Sequence, residues 1–258
     1  MHQLRIIGKF FSGDVTEREM TLSKSVIARI ALVCLLLVLV HAAVGQDKPF
    51  LLSLRGTLTT GSQIFQNPDS PDEVERSRFV AIENSVGYGV ELKYLVPETD
   101  IAVGIGVEYI RTSSPFALFL SPTRNLPVED GYRVIPVELT GYFIIPVSGP
   151  RFGIYMGGGG GAYFGRRIYR IAGVDAASVD EGRGFGIHVL AGIHYRLNEW
   201  FSLIGEMKFR DLQFSARNAF PVSQIRSGNS IVSVSTKPFP SRVHTDGIIF
   251  QLGTAFSF

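Results

Sequence analysis

Eight stretches of the chain alternate apolar side chains with small or polar ones, at residues 50–60, 84–96, 101–111, 132–145, 151–169, 184–197, 201–216 and 247–258. In an extended backbone successive side chains point to opposite faces, so this period of two gives each stretch one apolar face and one mixed face. None of the eight carries the 3.6-residue apolar spacing of an amphipathic helix. The segments between them sort by length. Pro97-Glu98-Thr99-Asp100, Pro146-Val147-Ser148-Gly149-Pro150 and Asn198-Glu199-Trp200 are tight turns built from turn-forming residues, whereas 61–83, 112–131, 170–183 and 217–246 are long. Short joints on one side, long ones on the other, and both ends of the strand series on the short side predict an all-β fold, an antiparallel eight-stranded up-and-down transmembrane β-barrel.

Side-chain parity says which face lies inside. In the second stretch Val86, Tyr88, Val90, Leu92 and Tyr94 oppose Gly87, Gly89, Glu91 and Lys93; in the third, Ile101, Val103, Ile105 and Val107 oppose Ala102, Gly104, Gly106 and Glu108. Charge shares its face with glycine throughout. A soluble lipocalin-like barrel, the structural alternative, turns its apolar face inward and its charge to water. Here the charged face is the one stripped of bulk, which marks the crowded, concave side. The inward charged set is then Arg55, Glu91, Lys93, Glu108, Glu138, Arg196, Glu206, Lys208 and Arg210. An eight-stranded bore is just wide enough to be filled by side chains, and charges of nearly balanced sign there predict a paired polar plug that holds the strands in register. The glycines at 157–161 are expected to make room for those long side chains. Phe50, Tyr94, Tyr142, Phe143, Tyr195, Trp200, Phe201, Phe256 and Phe258 near the turn ends, with Tyr109, Tyr132, Tyr163, Phe164 and Tyr169 near the long ends, predict two interfacial aromatic belts.

The start of the chain predicts export. Lys24 and Arg29 precede the apolar run 30–40, and the small residues Ala43 and Gly45 follow, so residues 1–45 read as an N-terminal extension and cleavable signal peptide with cleavage near Gly45 and a true start at Met20. The run is shorter than the roughly 20 apolar residues of a membrane-spanning helix. The whole sequence has 25 basic and 23 acidic residues. Removing 1–45 takes five basic and three acidic residues, leaving 20 of each on the barrel segment 46–258. A neutral chain without a clustered basic face does not read as a nucleic-acid binder. Cys34, the single cysteine, lies within the segment to be removed, so no disulfide, thiol nucleophile or thiolate metal site is expected in the mature chain.

From about residue 49 to Phe258 the chain resembles the small eight-stranded outer-membrane barrels of the OmpA/OmpX type and the broad "porin family" outer-membrane β-barrel group. The resemblance rests on the exported start, the alternating joints, the Gly/aromatic strand Tyr155-Met156-Gly157-Gly158-Gly159-Gly160-Gly161-Ala162-Tyr163-Phe164, and the terminal aromatic. It implies residence in the outer membrane of a Gram-negative bacterium among lipid and lipopolysaccharide, and a monomer. It also implies that the last strand, with Phe256 and Phe258, is read by the outer-membrane assembly machinery.

Function is less legible. The expected role is structural or surface-interacting, with no enzyme activity and no cofactor; a narrow channel for ions or small solutes is the alternative. A lipid-modifying barrel enzyme would need a serine beside His188 or His194, and no motif places one there. Gly182-Arg183-Gly184-Phe185-Gly186 lacks the strand-to-helix transition of a phosphate loop. Loops on a rigid scaffold are the natural place for recognition. The last loop is basic, and Arg226, Lys237 and Arg242 are its candidate contacts for anionic lipopolysaccharide headgroups or an acidic partner.

Overall fold

The structure, a computed structural model, describes residues 48–258 apart from 122, 123, 147, 148, 150, 229 and 246. The expected signal segment 1–45, with Met20, Cys34 and the cleavage position at Gly45, lies outside the described residues, as does part of the 146–150 turn. The strands are β1 (Phe50–Phe65), β2 (Phe79–Leu95), β3 (Ile101–Ser121), β4 (Arg124–Ile145), β5 (Phe152–Ile171), β6 (Val174–Asp175), β7 (Ala177–Asp180), β8 (Gly182–Arg196), β9 (Phe201–Arg210), β10 (Leu212–Ala219), β11 (Gln224–Ser227), β12 (Ser230–Ser233), β13 (Phe239–Thr245) and β14 (Ile248–Ser257); one short helix, α1, covers Glu73–Ser77.

These strands make a closed antiparallel ring with eight positions. β1 to β5 pair in sequence, β5 pairs β8, β8 pairs β9, β9 pairs β14, and β14 returns to β1 from Leu51↔Ser257 to Thr59↔Ile249. β9 and β10 share one ring position and β13 and β14 another. Above the β14 ladder β1 pairs β13, with Gln63 opposite His244, and β13 pairs β10. Closure matters because it leaves no row of unpaired backbone groups facing lipid.

The outer parts differ from the sequence expectation. The long segments were to be loops, but most continue as strands. β3 and β4 run for 21 and 22 residues. A tilted membrane-crossing strand needs only about 9–11 residues, so roughly half of each stands beyond the bilayer. Pro115 and Pro127 lie in the segment 112–131 expected as a long connection, yet Pro115↔Glu129 and Ala117↔Pro127 are ladder pairs. On β2 the alternation breaks at Asn84, whose φ of 55° is a left-handed conformation that asparagine tolerates, so Ile82 and Ser85 both face inward. That phase slip hid the strand outward of it. The 217–246 segment contains the rest of β10, the β11–β12 hairpin and β13.

Outward faces of the inner halves are apolar and exposed: Leu252, Ile187 and Leu139 show 74%, 70% and 60% of their surface. A band of this kind around the whole ring is costly in water and suits hydrocarbon. No helix among the described residues is long and apolar enough to cross a membrane. Trp200, Phe201 and Phe256 gather at the turn end, Trp200 stacking on Phe256 at 6.2 Å. Four residues assigned to the aromatic belts belong elsewhere: Tyr132, Tyr142 and Tyr163 are buried inside the barrel, as their even spacing from Glu138 on β4 and from Tyr155 on β5 dictates, and Tyr169 packs against Phe220 and Phe239 at its far end.

Candidate functional site

The bore is built in layers. Nearest the turns, Tyr142, Tyr155, Leu190 and Ala102 pack together. Above them lie two ion clusters. In the inner cluster the Arg55 guanidinium donates to Glu91 and, at 2.6 Å, to Glu206, while Lys93 Nζ lies 3.2 Å from Glu91 and 3.3 Å from Glu206. Tyr155 donates its hydroxyl to Glu206 at 2.6 Å and Tyr142 donates to Glu91. Lys93 Nζ also sits 3.8 Å from the Tyr142 ring centre, a cation–π contact that a desolvated ammonium favours. In the outer cluster Lys208 bridges Glu108 at 3.2 Å and Glu138 at 2.8 Å, and Arg210 reaches the same two carboxylates at 2.7 and 2.6 Å. Gln251 links the clusters, donating to Glu108 at 2.8 Å and accepting from Arg55 at 3.4 Å.

Register explains why these groups meet. Arg55 on β1 is opposite Gly89 on one side and Gly253 on the other; Glu206 is opposite Gly192 and Gln251. A Cβ on Gly104 would come within 3.1 Å of Glu91, Lys93 and Tyr142, and one on Gly161 within 2.8 Å of Glu138. Glycine at these positions gives the long charged chains their volume. The run at 157–161 has a second cause that sequence did not suggest. A Cβ on Gly159 would strike the Leu139 carbonyl, and one on Gly157 would lie 2.7 Å from the Gly141 carbonyl, so there the backbones themselves approach too closely for any side chain.

Of the nine inward charges expected, Arg55, Glu91, Lys93, Glu108, Glu138, Glu206, Lys208 and Arg210 are buried at 7% exposure or less. Arg196 is a correction: it is exposed at the turn end, because parity sets the face but the strand leaves the crowded bore two residues earlier, at half-buried His194. Without Arg196 the two clusters hold four cations and four carboxylates, so their charges balance. A void of about 10 Å³, the size for a single water, lies between the clusters against Arg55, Glu91, Glu108, Glu138 and Lys208.

Farther out the filling becomes apolar, with Ile64, Ile82, Ile110, Tyr132, Tyr163, Leu212, Phe214 and Val243 in one cluster. Then Arg167 clamps Asp130 with bonds of 2.8 and 2.6 Å, and Leu126, Val128, Ile171, Ala176, Phe220 and Ile225 close the far end. Asp130, Tyr142, Tyr155, Arg167 and Gln251 are the site residues that sequence reasoning missed. Their inward parity beside charged neighbours was the available signal.

His188 is buried, with Nε2 2.9 Å from the Thr140 hydroxyl and Nδ1 3.7 Å from Glu138. The order hydroxyl, imidazole, carboxylate superficially suits a nucleophile and its base, with threonine where serine was sought. Glu138, however, is already engaged by Lys208 and Arg210. His194 stacks on Tyr155 at 6.2 Å between ring centres. The three candidate loop cations do not share one loop: Arg226 is exposed on β11, Lys237 precedes β13, and Arg242 is on β13 itself, paired in register with Phe65 and Ser215. Arg242 lines a groove of about 380 Å³ on the outside of the wall with Phe65, Arg76 and His244.

A closed ring of eight antiparallel strand positions, apolar outside and charged within, is a small transmembrane β-barrel of the outer-membrane type. Solved structures similar to this chain are of that class. They include the outer membrane protein OprG from Pseudomonas aeruginosa (14% identity, 81% of this chain and 95% of that one, TM-score 0.48), Neisserial surface protein A (9%, 81% and 97%, 0.43) and Ail, the attachment invasion locus protein of Yersinia pestis (11%, 81% and 97%, 0.41). No family model and no curated protein sequence matches the chain.

Proposed function

We propose that this chain is a sealed, non-conducting outer-membrane barrel that holds a rigid strand-built platform outside the bilayer for a structural or surface-interaction role. The observation that carries it is the pair of ion clusters filling the bore: four cations and four carboxylates, mutually paired, with a void between them no larger than one water. An ion crossing here would have to break several buried pairs whose partners would be left uncompensated. Export with cleavage near Gly45, reading of Phe256 and Phe258 by the assembly machinery, a monomeric state and the absence of enzymatic activity belong to the same proposal.

Planar-bilayer recording of the refolded barrel tests it. The expected record is flat at all holding potentials, and Arg55→Ala with Glu206→Ala should introduce openings. Stepwise conductance in the unaltered protein would establish the narrow channel instead.

A further inference from the structure

Four neighbouring strands carry an arginine at the first outward position beyond the apolar belt: Arg111 on β3 after Tyr109, Arg133 on β4 before Ile135, Arg166 on β5 after Phe164, and Arg183 on β8 before Phe185. The first three are directly opposed in register, as Arg111↔Arg133 and Arg133↔Arg166. Arg183 is opposite Phe164, on the diagonal of Arg166. Directly opposed residues have Cα atoms about 4.5–5.5 Å apart, and like charges placed so are destabilising.

Little on the protein offsets them. Glu181, just before β8 at the next register position opposite Arg166 and bonded to it, is the row's carboxylate. Its carboxyl is held below the usual range by Arg166 first, with Arg133 and Arg183 contributing, so three of the arginines converge on one exposed glutamate. Among the described residues no ion pair involves Arg111, Arg133 or Arg183. Asp211, the acid beyond β8, faces His244 at 3.4 Å, and Glu83 on β2 lies three residues outward of Val86, the partner of Arg111. Four arginines less one glutamate leave a charge of +3. Farther out the charges are matched: Arg170 on β5 lies between Glu129 on β4 at 2.9 Å and Asp175 on β6 at 2.6 Å, and Arg217 on β10 is 3.2 Å from Asp180 on β7. Compensation was available to this sheet and is missing at one level only.

That level is the membrane surface. From Ile101, the first residue of β3, to Arg111 is ten residues, about 34 Å of strand, or about 26 Å along the axis at a tilt near 40°, matching an apolar band of about 25 Å. Interfacial aromatics accompany the row: Tyr88 and Tyr109, 5.5 Å apart, and exposed Phe164 and Phe185. Three strand spacings make the row about 14 Å wide, room for two phosphates, and guanidinium forks take phosphate bidentately.

We propose that Arg111, Arg133, Arg166 and Arg183 form a binding site for the phosphates of a multiply phosphorylated glycolipid of the outer leaflet. The site needs the barrel in its membrane but not a sealed bore, so conductance and lipid binding fail independently. It also differs from the dispersed Arg226, Lys237 and Arg242.

The full chain, extracted from membranes in detergent, is titrated with bisphosphorylated lipid A, its dephosphorylated form, phosphatidylglycerol and inorganic phosphate, and bound lipid is read by native mass spectrometry. The expected result is binding of bisphosphorylated lipid A at least about tenfold tighter than the dephosphorylated form or phosphatidylglycerol, with a similar loss in Arg133→Gln/Arg166→Gln and none in Arg226→Gln/Lys237→Gln. Heat-modifiable gel migration verifies that each variant is folded, and the comparison of lipids on the unaltered chain needs no variant. Equal binding of the dephosphorylated lipid or of phosphatidylglycerol, displacement by inorganic phosphate alone, or unchanged binding by the double variant would each overturn the assignment.

Discussion

At the scale of single residues, the bore is an interlocked set in which each group satisfies several others. Glu206 accepts from Arg55, Tyr155 and Lys93 and has no exposed atoms of its side chain. Glu206→Ala is expected to cost about 3–5 kcal/mol, because it leaves buried Arg55 and Lys93 to share the one carboxylate of Glu91, and to lower the urea midpoint of the folded gel band accordingly. Glu206→Gln keeps the shape and an acceptor and should cost less. A second residue carries strain. Ala172 and Gly173 form the two-residue turn between β5 and β6 with φ of 46° and 84°, and a left-handed conformation is unfavourable for alanine. Ala172→Gly should therefore stabilise the outer end by about 0.5–1 kcal/mol, seen as slower amide exchange near Ile171. Parity made the inward charges legible in the sequence, since a face is a local property. Depth along the bore is not local, which is why Arg196 was misplaced and why Tyr142 and Tyr155 were missed as partners of Glu91 and Glu206.

At the scale of elements, β5 shows how one strand can meet two demands. Its inward glycines serve neighbours of different kinds: Gly161 yields to the Glu138 side chain, whereas Gly159 yields to the backbone of β4. A flexible side chain can shift, but a paired carbonyl cannot without breaking its ladder. Gly159→Ala is expected to destabilise the barrel by about 1–3 kcal/mol, while Gly160→Ala, whose added carbon would sit 3.5 Å from the Gly186 carbonyl, should be close to neutral. Equal effects in refolding yield and urea midpoint would reject the backbone-contact account. The inner strands were readable because one face meets lipid and the other a crowded bore, which enforces strict alternation. Their outer extensions meet water on one side, tolerate Pro115 and Pro127, and slip phase at Asn84, so the same periodicity test fails on residues that are equally well paired.

At the scale of the molecule, the barrel has two parts held by different forces. The inner part depends on lipid outside and ion pairs inside; the outer part is a small water-facing barrel with its own apolar filling. Exposed ion pairs such as Arg166 with Glu181 add little there. The depressed Glu181 carboxyl contributes stability that is present above its ordinary pKa of 4.5 and lost as pH falls through its lower folded value, and so much exposure limits it to about 0.5 kcal/mol. Apolar closure matters more. Phe220 and Ile225, on the excursion that leaves β10 and returns at β13, cover Leu126, Val128 and Ile171. Asn218 and Phe239 are ladder partners, so residues 220–238 can be replaced by a short turn without reaching the ring. Removing two such buried side chains forfeits about 3–6 kcal/mol, at roughly 1.5–3 each. The loss should fall on the outer part alone: amide exchange should accelerate in 124–130 and 168–176, while the β1–β14 ladder at 51–59 stays protected and the band stays heat-modifiable. Uniform acceleration through both regions would mean that the two parts open as one cooperative unit, and that the platform's order depends on the membrane barrel beneath it.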